Sequence, residues 1–209
     1  MNIVQQLKDI YGCATPIFLK DIRIGRKSKT AIRKELSRAV EKGEIIRRSQ
    51  GIYYFKEDNV LSPELSFEKI VEQKFIKNDY DFPGLDLFIY GYYTGQTFLQ
   101  MIGLSQQVPA VLEITTNNTS CKRTIEINGR KAILRKGRTE INRTNYRILH
   151  FLDMLSSFMS EEEIKQNKSF LFDYINKNFT KKDFTDYINL YSLRLLKIMT
   201  EQGLINAFR

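Results

Sequence analysis

Nine side chains between residues 27 and 48 have the chemistry to hold a polyanion. Lys27, Lys29, Arg33, Lys34 and Arg38 lie on or beside one helix-spaced segment, with the hydroxyls of Thr30 and Ser37 among them, and Arg47 and Arg48 follow on a strand-like segment. Ammonium and guanidinium groups meet phosphate oxygens, whereas Thr30, Lys34, Ser37 and Arg38, on the outward side, have the reach to contact base edges in a major groove. Residue types alone leave a second reading open, a solvated basic face that meets another protein.

The elements that must position these groups are legible around them. Ile32, Leu36, Ala39 and Val40 recur at i, i+4, i+7 and i+8, which keeps apolar side chains on one face of a helix. Ser28 is its expected N-cap, Lys42 sits in the last turn, and Gly43 stands where a left-handed C-cap is wanted. Two short strands, Glu44 to Arg48 and Ile52 to Phe55, then flank Ser49-Gln50-Gly51 as a hairpin, with Tyr53 and Phe55 on one face as core. Upstream, Ile3, Leu7, Ile10 and Tyr11 predict a helix ending at Gly12, and Thr15-Pro16 predicts a second, short helix over Ile17 to Ile22. Three helices and a hairpin outline a winged helix-turn-helix over residues 1–57, a fold that usually grips DNA.

Charge distribution agrees with that outline. The chain of 209 residues has a formal net charge of +9, and residues 1–57 hold 13 Lys+Arg against 6 Asp+Glu, so about a quarter of the chain carries most of the excess. Hydrophobic residues at 42% and charged residues at 27% match globular composition, with no apolar run that approaches a membrane span. No secretion signal opens the chain, so a cytoplasmic location and no membrane partner are expected. Cys13 and Cys121 lack metal spacing, and neither a zinc site nor any cofactor is expected. His150 is the lone histidine and reads as a packing or surface residue. Without a nucleophile elbow, a phosphate-binding glycine loop or a metal motif, no catalytic set is visible and an enzyme is not expected.

Residues 58–209 read as a mixed α/β domain that becomes helical from about residue 143, giving an α+β chain overall. Ser62-Pro63 reopens helical signalling, Phe67 to Ile76 is helix-spaced, and Asp81-Phe82-Pro83-Gly84 breaks the chain. Strands are predicted near Leu87 to Tyr90, Val111 to Thr115, Cys121 to Ile127 and Lys131 to Arg135, with a helix over Thr94 to Ile102 capped by Thr94. Asn128-Gly129 is a strong hairpin signal, and Ser160 to Glu163 fits a capping box. Lys122, Arg123, Arg130, Lys131, Arg135, Lys136 and Arg138 form a second basic island, either a further nucleic-acid surface or an exposed hairpin with solvated charges.

Gly51-Ile52-Tyr53-Tyr54 ends the hairpin, and Tyr92-Tyr93-Thr94-Gly95 is followed by Gly103-Leu104-Ser105-Gln106-Gln107-Val108-Pro109. These segments, in this order, resemble the AbiEi-like antitoxins of bacterial type IV toxin–antitoxin and abortive-infection systems. Glu113-Ile114-Thr115-Thr116-Asn117 and the basic hairpin continue the likeness, over most of the chain. The resemblance implies an N-terminal winged helix that binds inverted repeats in double-stranded promoter DNA and represses its own operon. It also implies a second domain that opposes an AbiEii-like nucleotidyltransferase toxin without a stable complex. The alternative is a stand-alone repressor whose second domain senses a ligand.

Overall fold

The computed structural model describes residues 2–57, 64–78 and 88–208, a mixed α+β chain. Contacts divide it into two units, Met1–Leu87 with Glu126–Arg130, and Phe88–Ile125 with Lys131–Arg209. The sequence places a boundary near Glu57 instead. The predicted helical restart at Ser62-Pro63, the break at Asp81 to Gly84 and the strand start at Leu87 lie outside the described residues.

In the first unit, helix α1 (Ile3–Tyr11) starts where the Asn2 side chain accepts the Val4 N–H, and it stops at Gly12, whose φ of +63° suits glycine. The short helix expected over Ile17 to Ile22 is absent: Ile17–Phe18 form strand β1, paired with a strand far downstream (Ile17 with Tyr53, Phe18 with Ile52). Both side chains are buried, and the sheet satisfies backbone groups that a single helical turn would leave open. The Thr15 hydroxyl donates to the Cys13 carbonyl and caps no helix.

Helix α2 (Lys29–Glu41) is the longest in this unit. Ser28 accepts the Ala31 N–H at 3.2 Å, and Ile32, Leu36 and Ala39 are buried with Ile3 and Leu7 of α1 in one core. At its end Glu44 N–H donates to Ala39 O and Gly43 N–H to Val40 O, with Gly43 at φ +72°, the paired bonds that close a helix on a left-handed glycine. Strands β2 (Ile46–Ser49) and β3 (Ile52–Tyr54) follow, and the sheet runs β1-β3-β2, antiparallel throughout. The first strand starts two residues later than the spacing predicts, the second starts at Ile52 as predicted and ends at Tyr54, and the register shifts between Arg47 and Ser49. Tyr53 and Phe55 are buried as expected; Tyr54 is buried as well. Helix α3 (Phe67–Phe75), capped by Ser66, and the short strand β4 (Lys77–Asn78) complete the sequence-continuous part.

The second unit begins with β5 (Phe88–Ile89) and β6 (Gly91–Tyr93), then α4 (Gly95–Met101) and β7 (Val111–Thr116). Strands β8 (Arg123–Ile127) and β9 (Arg130–Lys136) are joined through Asn128 and Gly129, at φ +50° and +78°, the left-handed pair that the Asn-Gly signal predicts. The four-stranded sheet is ordered β6-β7-β9-β8; β6 and β7 are antiparallel, β7 and β9 parallel. Thr94 precedes α4 in extended backbone but makes no side-chain cap, and its Oγ1 is buried without a partner among the described residues, which corrects the predicted cap.

Helical periodicity from residue 143 holds. Helix α5 (Tyr146–Ser157) buries Ile148, Phe151, Leu152 and Leu155, and α6 (Glu161–Gln166) opens with the predicted Ser160–Glu163 capping box. Helices α7 (Lys168–Asn178), α8 (Lys181–Tyr187) and α9 (Leu193–Glu201) close around Phe151, Leu171, Ile175 and Met199, all fully buried. No helix among the described residues is long and apolar enough to cross a membrane.

Candidate nucleic-acid interface

Because α2 buries one stripe, six of its other side chains leave in two ridges. Lys29, Arg33 and Ser37 form one, and Thr30, Lys34 and Arg38 the other; all six are exposed. The first ridge forms a wall of a cleft of about 540 Å³. Arg47 of β2, Gln50 and Gly51 of the β2–β3 turn, the end of β1 and Lys74 of α3 line the rest of it. Gly51 has φ +74°, and its carbonyl accepts the Leu19 N–H at 2.9 Å, so the turn is tied to β1. Among the described residues the cleft is lined by the cations Lys20, Lys29, Arg33, Arg47 and Lys74 and by no acidic side chain. Such walls focus a positive potential into the space between them.

The predicted cations divide by their partners. Among the described residues, Lys29, Arg33, Lys34, Arg38 and Arg47 make no ion pair, so their charge faces solvent. Lys27 instead pairs with Glu35 at 2.7 Å, and Arg48 with Glu64 at 3.0 Å. Arg47 is exposed, whereas Arg48 is partly buried and its Nε has no hydrogen-bond partner among the described residues. Lys20, Gln50 and Lys74 join the cleft although sequence spacing did not single them out. Lys74 Nζ lies 5.8 Å from the Phe18 ring centroid, a contact that only the fold creates.

The cations of the second basic island divide by their partners too. Arg130 counts with the first unit, where it pairs with Glu68 and lies over the Phe67 ring. In the second unit Arg135 pairs with Glu113 at 2.8 Å, and Arg138 with Asp153 at 3.2 Å. Lys122, Arg123 and Lys136 are exposed, and Lys131 is exposed with an interaction of its own. Three of the seven charges are thus spent on carboxylates of the fold.

Asp153 belongs to a polar network inside the second unit. Tyr92 donates its hydroxyl to Asp153 Oδ2 at 2.7 Å while Arg138 Nε donates to Oδ1. Tyr191 donates to the Leu149 carbonyl and lies under the Arg138 guanidinium, 4.6 Å from Cζ to ring centroid. Burial, and then the Asp153 charge, raise both phenols well above the ordinary tyrosine range, so both remain donors. His150 stacks on Tyr92 at 5.0 Å and packs against Phe98; burial pushes its pKa down to about 3. Its Nε2 is buried without a partner among the described residues. The imidazole is thus held neutral among aromatic rings. No family model matches the chain, and no curated protein or solved structure matches it.

Proposed function

We propose that the chain binds double-stranded DNA through α2 and the β2–β3 turn and acts as an AbiEi-like antitoxin that represses its own operon. The observation that carries this reading is the cleft beside α2, whose lining brings together cations from four segments of the chain and, among the described residues, includes no acidic side chain. A duplex presents closely spaced phosphates, so a surface of this kind gains affinity by releasing their counterions. The order α1, β1, α2, β2, β3 with a β1-β3-β2 sheet supports a winged helix in which α2 is the recognition helix and the turn is the wing.

Support for the antitoxin part is the convergence of the residues behind the resemblance. Gly91 and Tyr92 pair with Thr116 and Thr115 across β6 and β7, and the Gly95 backbone faces the Glu113 carboxylate. Two stretches that lie apart in sequence therefore form one packed feature. The opposed toxin is a nucleotidyltransferase acting without a stable complex. The alternative, a repressor with a ligand-sensing second domain, draws on a separate cleft of about 460 Å³ lined by Asn117, Lys136, Arg138 and Glu140 among others.

The test has two arms with the full chain. A reporter driven by the DNA upstream of the gene should be silenced by the wild type and released by Arg33→Ala with Arg47→Ala. Co-expression should relieve the lethality of a neighbouring nucleotidyltransferase gene. Repression without relief would leave a plain regulator, and a reporter indifferent to the protein would remove the DNA-binding reading.

A further inference from the structure

Only one of the two exposed ridges of α2 looks into the cleft. Lys29, Arg33 and Ser37 line it; Thr30, Lys34 and Arg38 do not, because each is turned about 100° from its neighbour on the first ridge. We propose a division of labour between them. The cleft carries one strand of duplex DNA by its phosphodiester backbone, held chiefly by Arg33 and Arg47, while Lys34 and Arg38 on the adjoining ridge read base edges. This rests on the DNA-binding reading and assigns Ser37 to the backbone, not to the bases.

Three observations support the assignment. First, the cleft joins cations of β2, α2, the chain after β1 and α3, so one continuous polyanion meets all of them, whereas isolated surface cations would meet phosphates singly. Second, the aromatic rings in its wall, Phe18 and Tyr53, are 3% and 5% exposed. No base can stack on them, which disfavours a single strand held by its bases and favours backbone contact. Third, neither Arg33 nor Arg47 has a carboxylate partner among the described residues, so both planar forks are open to paired phosphate oxygens.

Lys34 and Arg38 are one helical turn apart, about 6 Å along the axis, or roughly two base steps of about 3.4 Å. They are suited to edges within one short half-site. With no ion pair among the described residues, they are also free to change partners as the sequence changes.

The experiment uses the full-length protein and four single variants, Arg33→Ala, Arg47→Ala, Lys34→Ala and Arg38→Ala. Each is bound across a salt series to the DNA immediately upstream of the gene and to a shuffled duplex of equal length and composition. Arg33→Ala and Arg47→Ala should weaken both duplexes by the same factor and flatten the slope of log K against log salt by about 1 each. Lys34→Ala or Arg38→Ala should shrink the preference for the upstream duplex by about 5- to 150-fold. Wild-type binding with cleft variants that alter the preference, or that leave the salt slope unchanged, would overturn the division and keep the DNA-binding reading. Wild type that binds neither duplex would remove both.

Discussion

A Cβ built on Gly95 would stand 2.6 Å from Cδ of Glu113, so the carboxylate occupies the space that any other residue would need at position 95. Gly95 also has φ +62°, a conformation costly for a side chain. Gly95→Ala should destabilise the chain by about 1–3 kcal/mol in urea unfolding, through backbone strain and displacement of Glu113 from Arg135. Adding Glu113→Ala should recover part of that loss. A Gly95→Ala variant within about 0.5 kcal/mol of wild type would show that the contact is not confining.

Tyr92→Phe removes one hydroxyl from the buried Asp153 carboxylate while leaving the ring in place. The carboxylate keeps Arg138 but loses its short bond, and a loss of about 1–3 kcal/mol is expected on unfolding. Unchanged stability would mean that Asp153 is satisfied without the phenol.

Stability should fall in mild acid because of His150. Its folded pKa is pushed below the unfolded value of 6.5 to about 3, so between these values the unfolded chain binds a proton that the folded chain does not. Stability is present above pH 6.5 and is lost as pH falls from there towards 3, at no more than about 1.4 kcal/mol per unit from this group. Replacing His150 with Phe should flatten the slope near pH 5 to 6 in a series of urea midpoints. An unaltered slope would mean that the imidazole is solvated in the folded state.

Helix α2, its caps and the Asn128-Gly129 turn were legible in the sequence because their signals are local: Ser28, Gly43 and the apolar spacing all lie within the element they define. Strand β1 was not, since Ile17 and Phe18 become a strand only through Tyr53 and Ile52. The same distinction governs the interface. Arg33 and Arg47 could be named from their segments, but Lys20 and Lys74 enter the cleft from elsewhere, and Lys27 and Arg48 are engaged by Glu35 and Glu64 that no spacing rule connects to them. Tyr92 and Asp153 are 61 residues apart, and neither carries a motif that announces the other.

The most direct measurement is the salt dependence of wild-type binding to the upstream duplex, beside a variant with Lys29, Arg33 and Arg47 all changed to Ala. If the five cleft cations neutralise phosphates, log K should fall with log salt at a slope of about −4 or steeper, and the triple variant should lose about 3 of that slope. A wild-type slope near zero, or a triple variant that binds with the wild-type slope and affinity, would contradict the assignment of the α2 cleft to DNA.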